Sequence, residues 1–167
     1  MSTAAVITCS NRSAAGQRPD DSGRLLVELL TGAGHSVAAP VVVPDDLEAI
    51  RVAIKDAVAG GAQVVLTNGG TGLTPTDVTP EAVRPLLDCE IPGIAEAIRM
   101  SSYPRVPTAA LSRGIAGAIG GTLVVCLPGS PGGVRDGFAV LAPLLDHAVD
   151  QLAGGDHRPG GGMQDPS

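Results

Sequence analysis

The segment AQVVLTNGGTG, residues Ala62–Gly72, joins an almost continuous apolar run to a cluster of glycines. Two other runs are equally apolar, Ala4–Cys9 (AAVITC) and Thr122–Leu127 (TLVVCL). Strands that are apolar on both faces are typical of parallel sheets covered by helices on both sides. A fourth run, Val37–Val43, contains Pro40, which indicates an edge strand or an irregular one. Together the runs predict a mostly parallel sheet.

Helical patterns separate these runs, because apolar residues recur at intervals of three and four. The predicted helices cover Ser22–Thr31, Asp45–Val58, Thr79–Leu87, Gly93–Ser101 and Pro131–Leu152. Pro143 should bend or divide the last of them, and Thr79 should be the N-cap of the third. Strands and helices that alternate in this way predict an α/β fold, a three-layer sandwich with a mostly parallel sheet. The repeat Gly114-x-x-Gly117-x-x-Gly120 is interpreted as close helix packing or a flexible joint.

The chain divides by composition into one domain and a tail. Residues 1–153 carry the apolar periodicity, whereas the last residues, 154–167 (GGDHRPGGGMQDPS), have none. A segment of that composition cannot bury enough apolar surface to offset the entropy of ordering it. We therefore expect a single folded domain followed by a disordered tail.

The composition also excludes several classes of function. The 167 residues hold 11 Lys and Arg against 17 Asp and Glu, a net charge of −6, without a basic run for nucleic acid or an anionic membrane. Tyr103 and Phe138 are the only aromatics, too few for base stacking. No apolar run approaches the ~20 residues of a membrane span. The N-terminal segment lacks the features of an export signal, which predicts a cytoplasmic protein.

Polar and glycine-rich segments follow the four predicted strands at their carboxyl ends. They are Ser10–Arg12, Pro44–Asp46, Asn68–Gly72 and Pro128–Gly133. Ligands of open α/β sheets bind beyond the carboxyl ends of the strands. We therefore expect all four segments to converge on one ligand-binding edge.

The most informative of these segments is Gly69–Gly72. Consecutive glycines allow positive φ and let backbone N–H groups approach an anion, and the Thr71 hydroxyl adds a donor. The segment is neither a Walker A loop nor a dinucleotide-binding fingerprint, and a plain tight turn is the alternative. Pro128–Gly133 precedes a helix, whose N-terminus could hold a second anionic group; a plain turn is again the alternative. Arg12 and Arg113 are candidate anion contacts or surface ion pairs.

Acidic residues near these loops suggest a metal ion. Asp77 beside a phosphate-binding loop would repel the ligand unless a cation lay between them, and Mg²⁺ held by one or two carboxylates is the usual solution. Alternatively, Asp77 caps the turn before the Thr79 helix. Asp45-x-x-Glu48 matches a capping box with Asp45 at the N-cap, and spacing favours that role. Its position at a strand end keeps a metal or substrate role open, and Asp46 is equally placed.

Several motifs together resemble the MoaB/Mog family of molybdenum cofactor biosynthesis proteins. The matching segments are Thr67–Ala82 (TNGGTGLTPTDVTPEA), Ile91–Ser102, Leu111–Gly117 and Leu127–Gly133, with weaker matches at Asp20–Gly23 and Val43–Asp46. The resemblance implies the molybdopterin-binding fold and a homo-oligomer, either a trimer or a hexamer built from two trimers. It also implies an enzyme that binds molybdopterin and ATP with Mg²⁺. That enzyme transfers AMP to the terminal phosphate of molybdopterin and releases pyrophosphate.

The resemblance also implies roles for individual residues. The family's two key aspartates, which would hold the metal, fall on Asp45 and Asp77. Its ligand loops and pterin side fall on Gly69, Gly70, Thr71, Gly72, Pro128, Gly129, Ser130, Pro131 and Ser112. Two positions depart from the expected pattern, since Asn68 replaces a Thr and Asn11 replaces an Asp.

Other functions stay open beside the adenylyltransferase. A non-catalytic molybdopterin carrier of the MoaB branch would share the fold, and Asn11 is found in that branch. The presence of both Asp45 and Asp77 favours the enzyme. A plain nucleotide-binding or oxidoreductase module is disfavoured, because the dinucleotide fingerprint is missing.

Overall fold

The computed structural model describes residues 1–155. Its strands are β1 (Thr3–Cys9), β2 (Ser36–Val37), β3 (Val41–Val43), β4 (Val64–Asn68), β5 (Cys89–Glu90), β6 (Ala116–Ile119) and β7 (Thr122–Leu127). Its α-helices are α1 (Asn11–Ala14), α2 (Asp21–Gly32), α3 (Leu47–Ala59), α4 (Thr79–Val83), α5 (Pro92–Ser102), α6 (Pro131–Leu141) and α7 (Leu145–Leu152). Short 3₁₀ turns cover Arg84–Leu86 and Pro107–Leu111. Most of the predicted tail, residues 156–167, lies outside the described residues.

One sheet runs through the described residues in the order β2-β1-β4-β7-β6-β5. The strand β3 also pairs with β1, nearer the carboxyl end of β1 than β2 does. The pairs β1–β2, β1–β3, β1–β4 and β4–β7 are parallel, whereas β6 is antiparallel to both β5 and β7. The prediction of a mostly parallel sheet is therefore confirmed. The three apolar runs form β1, β4 and β7 at its centre, where every residue of β4 and β7 is buried.

The antiparallel edge of the sheet was not predicted from the sequence. Gly117 lies in β6 opposite Glu90, and a Cβ atom there would collide with the Cys89 carbonyl and the Leu87 side chain. The interpretation of the Gly114–Gly120 repeat as helix packing is therefore wrong. These glycines instead let β6 approach β5 and turn back into β7.

The run Val37–Val43 is two short strands rather than one. β2 and β3 pair with opposite ends of β1, Thr3 with Ser36 and Cys9 with Val43. Pro40 lies between them and has no N–H to donate to a ladder, which explains the interruption. The prediction of an irregular edge strand is confirmed.

Helices cover both faces of the sheet and complete three layers. On one face, α2, α5, α6 and α7 bury apolar side chains that include Leu26, Ile98 and Leu141. On the other face, α3 and α4 contribute Ile50, Ile54 and others. The three-layer α/β sandwich is confirmed, and its sheet edge is left free for ligands. Within residues 1–155, none of the helices is long and apolar enough to cross a bilayer.

Two predicted helices differ in detail. The one expected over Thr79–Leu87 is α4 followed by a 3₁₀ turn, and Val78, not Thr79, stands at its N-cap position. The Thr79 hydroxyl instead donates a hydrogen bond to the Gly69 carbonyl. The helix expected over Pro131–Leu152 is divided near Pro143 into α6 and α7, as predicted.

Candidate functional site

The carboxyl ends of β1, β4 and β7 meet at one edge of the sheet, beside two adjoining cavities. The larger, of about 530 Å³, is lined by predicted site residues: Gly69, Gly70, Thr71, Gly72, Asp77, Ser112, Pro128, Gly129 and Ser130. The second, of about 490 Å³, is lined by Asp45, Asp77, Gly70 and the segment Ser10–Arg12, among others. Apart from Pro131, every residue that the resemblance assigns to ligand binding therefore lines one of these two cavities, and Gly70 and Asp77 line both.

The segment Gly69–Gly72, the glycine loop, has a backbone that other residues rarely adopt. The φ angles of Gly69 and Gly70 are +91° and +65°. A Cβ atom at Gly69 would collide with the Cys9 carbonyl, and one at Gly70 would collide with Thr79 Oγ1. Both glycines are therefore required by conformation and by space.

Hydrogen bonds hold the glycine loop through its carbonyl groups. The Thr79 hydroxyl donates to the Gly69 carbonyl at 3.0 Å, and Thr79 N donates to the Gly70 carbonyl at 3.1 Å. Arg113 N donates to the Thr71 carbonyl at 2.8 Å. In contrast, the N–H groups of Gly70, Thr71 and Gly72 donate to no acceptor within residues 1–155. The loop thus presents free N–H donors on a fixed backbone, which is the arrangement of an anion-binding site.

Arg113 supports the same loop with its side chain. Its Nε donates to the Gly72 carbonyl and its Nη2 to the Asp77 carbonyl, each at 2.7 Å, and the guanidinium pairs with Glu81. The hydrogen bond from Arg113 holds the pKa of Glu81 below its ordinary value. Arg113 is therefore an ion-pair partner that positions the loop, and sequence reasoning found only the ion pair. The other candidate cation, Arg12, is exposed and lines the second cavity.

The adjacent acids Asp45 and Asp46 have different surroundings. Asp46 Oδ1 accepts a hydrogen bond from Ala49 N at 2.9 Å and is the N-cap of α3. The prediction of Asp45 as the N-cap is therefore wrong, because the helix begins one residue later. Asp45 Oδ2 instead accepts from Asn11 N at 3.0 Å, while Asn11 Oδ1 accepts from Asp45 N at 2.9 Å.

The second oxygen of Asp45, Oδ1, is buried and has no hydrogen-bond partner in the described part of the chain. Burial raises the pKa of this carboxyl group, and the negative charge of Asp77 raises it further. A buried carboxylate oxygen without a partner is costly unless a cation or a donor satisfies it. Asp45 is thus the acid of this pair that is suited to bind a ligand.

Asp77 both holds a turn and faces the site. Its Oδ2 accepts from Thr74 N at 3.0 Å and from the Thr74 hydroxyl at 2.8 Å, so it stabilises the turn before α4. Its Oδ1 accepts no hydrogen bond within residues 1–155. No group of three or more metal-ligating side chains occurs in those residues. Two carboxylates beside free N–H donors fit Mg²⁺, which is held by one or two carboxylates together with substrate phosphates.

The segment Pro128–Ser130, the proline loop, approaches the glycine loop closely. A Cβ atom at Gly129 would lie 3.1 Å from the Cα of Gly69. The Ser22 hydroxyl donates to the Gly129 carbonyl at 2.7 Å, and Ser130 Oγ caps α6 by accepting from Gly133 N at 3.1 Å. The proline loop thus places the N-terminus of an 11-residue helix beside the glycine loop. That end of a helix favours negative charge.

Cys9 also lines the second cavity, but its chemistry is suppressed. Burial raises the pKa of its thiol to about 12, and burial likewise raises the pKa of Cys126. Both therefore stay protonated at neutral pH, and neither is a nucleophile. The site works through backbone N–H groups and carboxylates.

Comparison with known proteins agrees with the resemblance found in the sequence. A family model described as "Probable molybdopterin binding domain" matches residues 5–147. The molybdopterin adenylyltransferase of Pyrococcus furiosus is 40% identical over 149 residues, 86% of this chain and 87% of that protein. A bifunctional molybdenum cofactor biosynthesis protein of Synechococcus elongatus is 42% identical over 92% of this chain, which spans only 48% of that protein.

Solved structures agree as well. A molybdopterin biosynthesis protein from Mycobacterium abscessus is 49% identical, with a TM-score of 0.87 over 92% of this chain and 97% of that one. Sequence and fold therefore match over almost the whole of the described residues.

Proposed function

The chain belongs to the MoaB/Mog family of molybdopterin-binding proteins, whose members act in molybdenum cofactor biosynthesis, and from this we propose that it is a molybdopterin adenylyltransferase. In the proposed reaction an oxygen of the terminal phosphate of molybdopterin attacks the α-phosphorus of ATP. A P–O bond forms to that oxygen, the bond to the bridging oxygen breaks, and pyrophosphate leaves with the electron pair. The products are adenylylated molybdopterin and pyrophosphate.

One observation carries this proposal: free N–H donors and underused carboxylate oxygens face the same space. The N–H groups of Gly70–Gly72 suit a phosphate, whereas Asp45 Oδ1 and Asp77 Oδ1 would repel one. A site with both features makes physical sense when a cation lies between acid and phosphate. That combination supports a site for a metal-bound nucleotide over a site that only holds an anion.

The chemistry needs alignment and charge neutralisation more than proton transfer. The attacking phosphate is already an anion, so no protein base has to create it. The N–H donors of the glycine loop would hold phosphate oxygens in place, and the N-terminus of α6 would hold a second anionic group. Asp45 and Asp77 would hold Mg²⁺, which when bound neutralises charge on the triphosphate. The protein thus lowers the repulsion between two polyanions and fixes their approach.

Pyrophosphate release from molybdopterin, ATP and Mg²⁺ tests the proposal. The wild type should release pyrophosphate, and Asp77→Asn or Asp45→Asn should release it about a hundredfold more slowly. An asparagine still accepts from Thr74 or Asn11, so both variants should stay folded and retain molybdopterin affinity. Asp46→Asn is the matched control, because it removes the same charge one residue away and keeps a good N-cap.

The possible results separate the hypotheses. Native turnover by Asp77→Asn would show that this residue does not hold a metal. A wild type that binds molybdopterin but releases no pyrophosphate would be a non-catalytic carrier. The homo-oligomer and the cytoplasmic location stay predictions; sedimentation of the purified protein checks the first.

A further inference from the structure

The larger cavity contains an ion pair at some distance from the two loops. Asp136 lies in α6, six residues after Ser130, which corresponds to about 9 Å along the helix axis. Arg105 follows the end of α5, and its Nη2 lies 2.8 Å from Asp136 Oδ2. The cavity therefore joins the phosphate-binding loops to a second polar region.

This pair keeps both an acceptor and donors unused. Asp136 Oδ2 accepts from the Ser102 hydroxyl at 2.8 Å as well as from Arg105, whereas Oδ1 accepts from no group in residues 1–155. The remaining N–H groups of the Arg105 guanidinium also donate to no partner there. Hydrogen bonds from Arg105 and Ser102 lower the pKa of Asp136, so the group is a carboxylate at neutral pH. Side by side, the two residues offer one free acceptor and several free donors.

The pyrimidinone edge of a pterin has the complementary pattern. Its 2-amino group and ring N3–H are donors, and its 4-oxo group is an acceptor. We propose that Asp136 and Arg105 recognise this edge: Asp136 Oδ1 accepts from the amino and N3–H groups, and the Arg105 guanidinium donates to the 4-oxo group. This rests on the proposed function to the extent that the ligand is the pterin of molybdopterin.

Other residues of the cavity suit the same ligand. Ile98, Val106 and Leu111 line the same cavity and offer apolar surface to the faces of a ring system. The phosphate end would then lie at the glycine loop, and the pyrimidinone end at Asp136. An exposed ion pair that serves only stability contributes little, and its carboxylate would not affect ligand choice.

Two pteridines test the inference without any turnover. Pterin carries the 2-amino group, whereas lumazine carries a 2-oxo group at that position and a proton on N1; the N3–H and the 4-oxo group are common to both. Binding of each is measured by chemical-shift titration, at a pH where both ligands are neutral. The wild type should prefer pterin, because the 2-oxo group of lumazine would face the carboxylate.

Substitutions at the two residues should have different effects. Asp136→Asn places an amide donor in the site and should lower the ratio of pterin to lumazine affinity about tenfold. Arg105→Met removes the donor to the 4-oxo group, which both ligands share. It should therefore weaken both by a similar factor and leave their ratio unchanged. Asp146→Asn, which removes an exposed carboxylate of α7 that pairs with the N-terminus, is the matched control and should change neither affinity.

The possible results separate the assignment of Asp136 and Arg105 from the proposed adenylyltransferase activity. An unchanged ratio in Asp136→Asn would overturn the inference, as would the absence of saturable pterin binding to the wild type. If the ratio shifts as expected but the wild type releases no pyrophosphate, the recognition of the pterin stands and the adenylyltransferase proposal fails. If turnover is normal and the ratio does not shift, only the assignment of Asp136 and Arg105 fails.

Discussion

The glycine loop and the proline loop follow neighbouring parallel strands, yet they are stabilised in different ways. The glycine loop has positive φ angles, and its carbonyl groups accept from Thr79, 10 residues after Gly69, and from Arg113, 41 residues after Gly72. The proline loop is held mainly by its own helix, through the Ser130 cap of α6, with one bond from Ser22. The first depends on tertiary contacts and the second mostly on local ones.

This difference indicates how each loop can bind an anion. The glycine loop has its donors fixed before any ligand arrives, because Thr79 and Arg113 donate to its carbonyl groups and leave the N–H groups of Gly70–Gly72 free within residues 1–155. The proline loop offers a helix N-terminus, which attracts negative charge whatever the neighbouring loop does. Substitutions in the glycine loop should therefore affect fold and binding together, whereas those in the proline loop should act locally.

The largest expected effect is that of Gly70→Ala. The added Cβ would collide with Thr79 Oγ1 and lie 3.2 Å from Asp45 Oδ1, on a backbone with φ of +65°. We expect a loss of about 3 kcal/mol in the free energy of unfolding and loss of ATP binding. Chemical denaturation and calorimetric titration measure the two quantities.

Gly132→Ala, a substitution just after the proline loop, is the variant to compare with Gly70→Ala. A Cβ at Gly132 meets nothing within 4 Å, and the residue lies in the first turn of α6. Alanine favours a helix more than glycine, so stability should be unchanged or rise by about 0.5 kcal/mol. Equal losses in both variants would contradict the distinction between the loops.

Arg113→Met should have the next largest effect. It removes side-chain hydrogen bonds to the Gly72 and Asp77 carbonyls and the ion pair with Glu81. We expect a loss of about 2 kcal/mol in the free energy of unfolding, with weaker binding of Mg-ATP because the loop and Asp77 lose their shared support. Denaturation and the KM for ATP check both effects.

A second arginine provides the matched variant for this prediction. Arg84 pairs with Glu90 at 2.8 Å, but both side chains are largely exposed and no loop depends on them. Arg84→Met should therefore cost about 0.5 kcal/mol or less. If the two methionine variants were equally stable, Arg113 would be an ordinary surface ion pair.

The sequence predicted the centre of the fold well and its edges poorly. The runs that became β1, β4 and β7 are apolar because both faces of these strands are covered, and this pattern is local to each strand. β6 has the sequence AGAI, which carries no comparable signal, and β5 is two residues long. Their pairing depends on the close approach allowed by Gly117, a contact between distant segments that no local pattern records.

The same distinction applies to the site. Strand ends and glycines could be located from the sequence, because strand direction determines where ligands bind. Spacing could not separate Asp45 from Asp46, since each precedes the first turn of α3 closely enough to cap it. Only the helix boundary and the pairing with Asn11 show which acid faces the site. The contacts of Arg113 likewise join residues about 40 positions apart.

Ser130→Ala should test the local character of the proline loop. It removes the N-cap of α6, which is worth about 1 kcal/mol, without altering the glycine loop. Ser130→Asn should restore the stability, because asparagine is an equally good N-cap. Hydrogen exchange should therefore be faster in the first turn of α6 in the alanine variant alone. Faster exchange around Gly69–Gly72 as well would show that the two loops are coupled.

The smallest effect, and the one that most directly joins stability to binding, is expected from Asp45→Asn. Burial raises the pKa of Asp45 above its ordinary 3.8. The Asp45 carboxyl group therefore binds a proton more tightly in the folded protein than in the unfolded chain. Above the raised pKa the charged carboxylate therefore destabilises the fold, and Asp45→Asn should melt slightly higher than the wild type at neutral pH. The difference in melting temperature should shrink as the pH falls through the raised pKa and disappear below 3.8.

Added Mg²⁺ and ATP should reverse the order of the two melting temperatures by stabilising the wild type alone. Asp46→Asn, which keeps the cap of α3, should show neither effect, and a wild type that is the more stable at neutral pH without ligands would contradict the prediction.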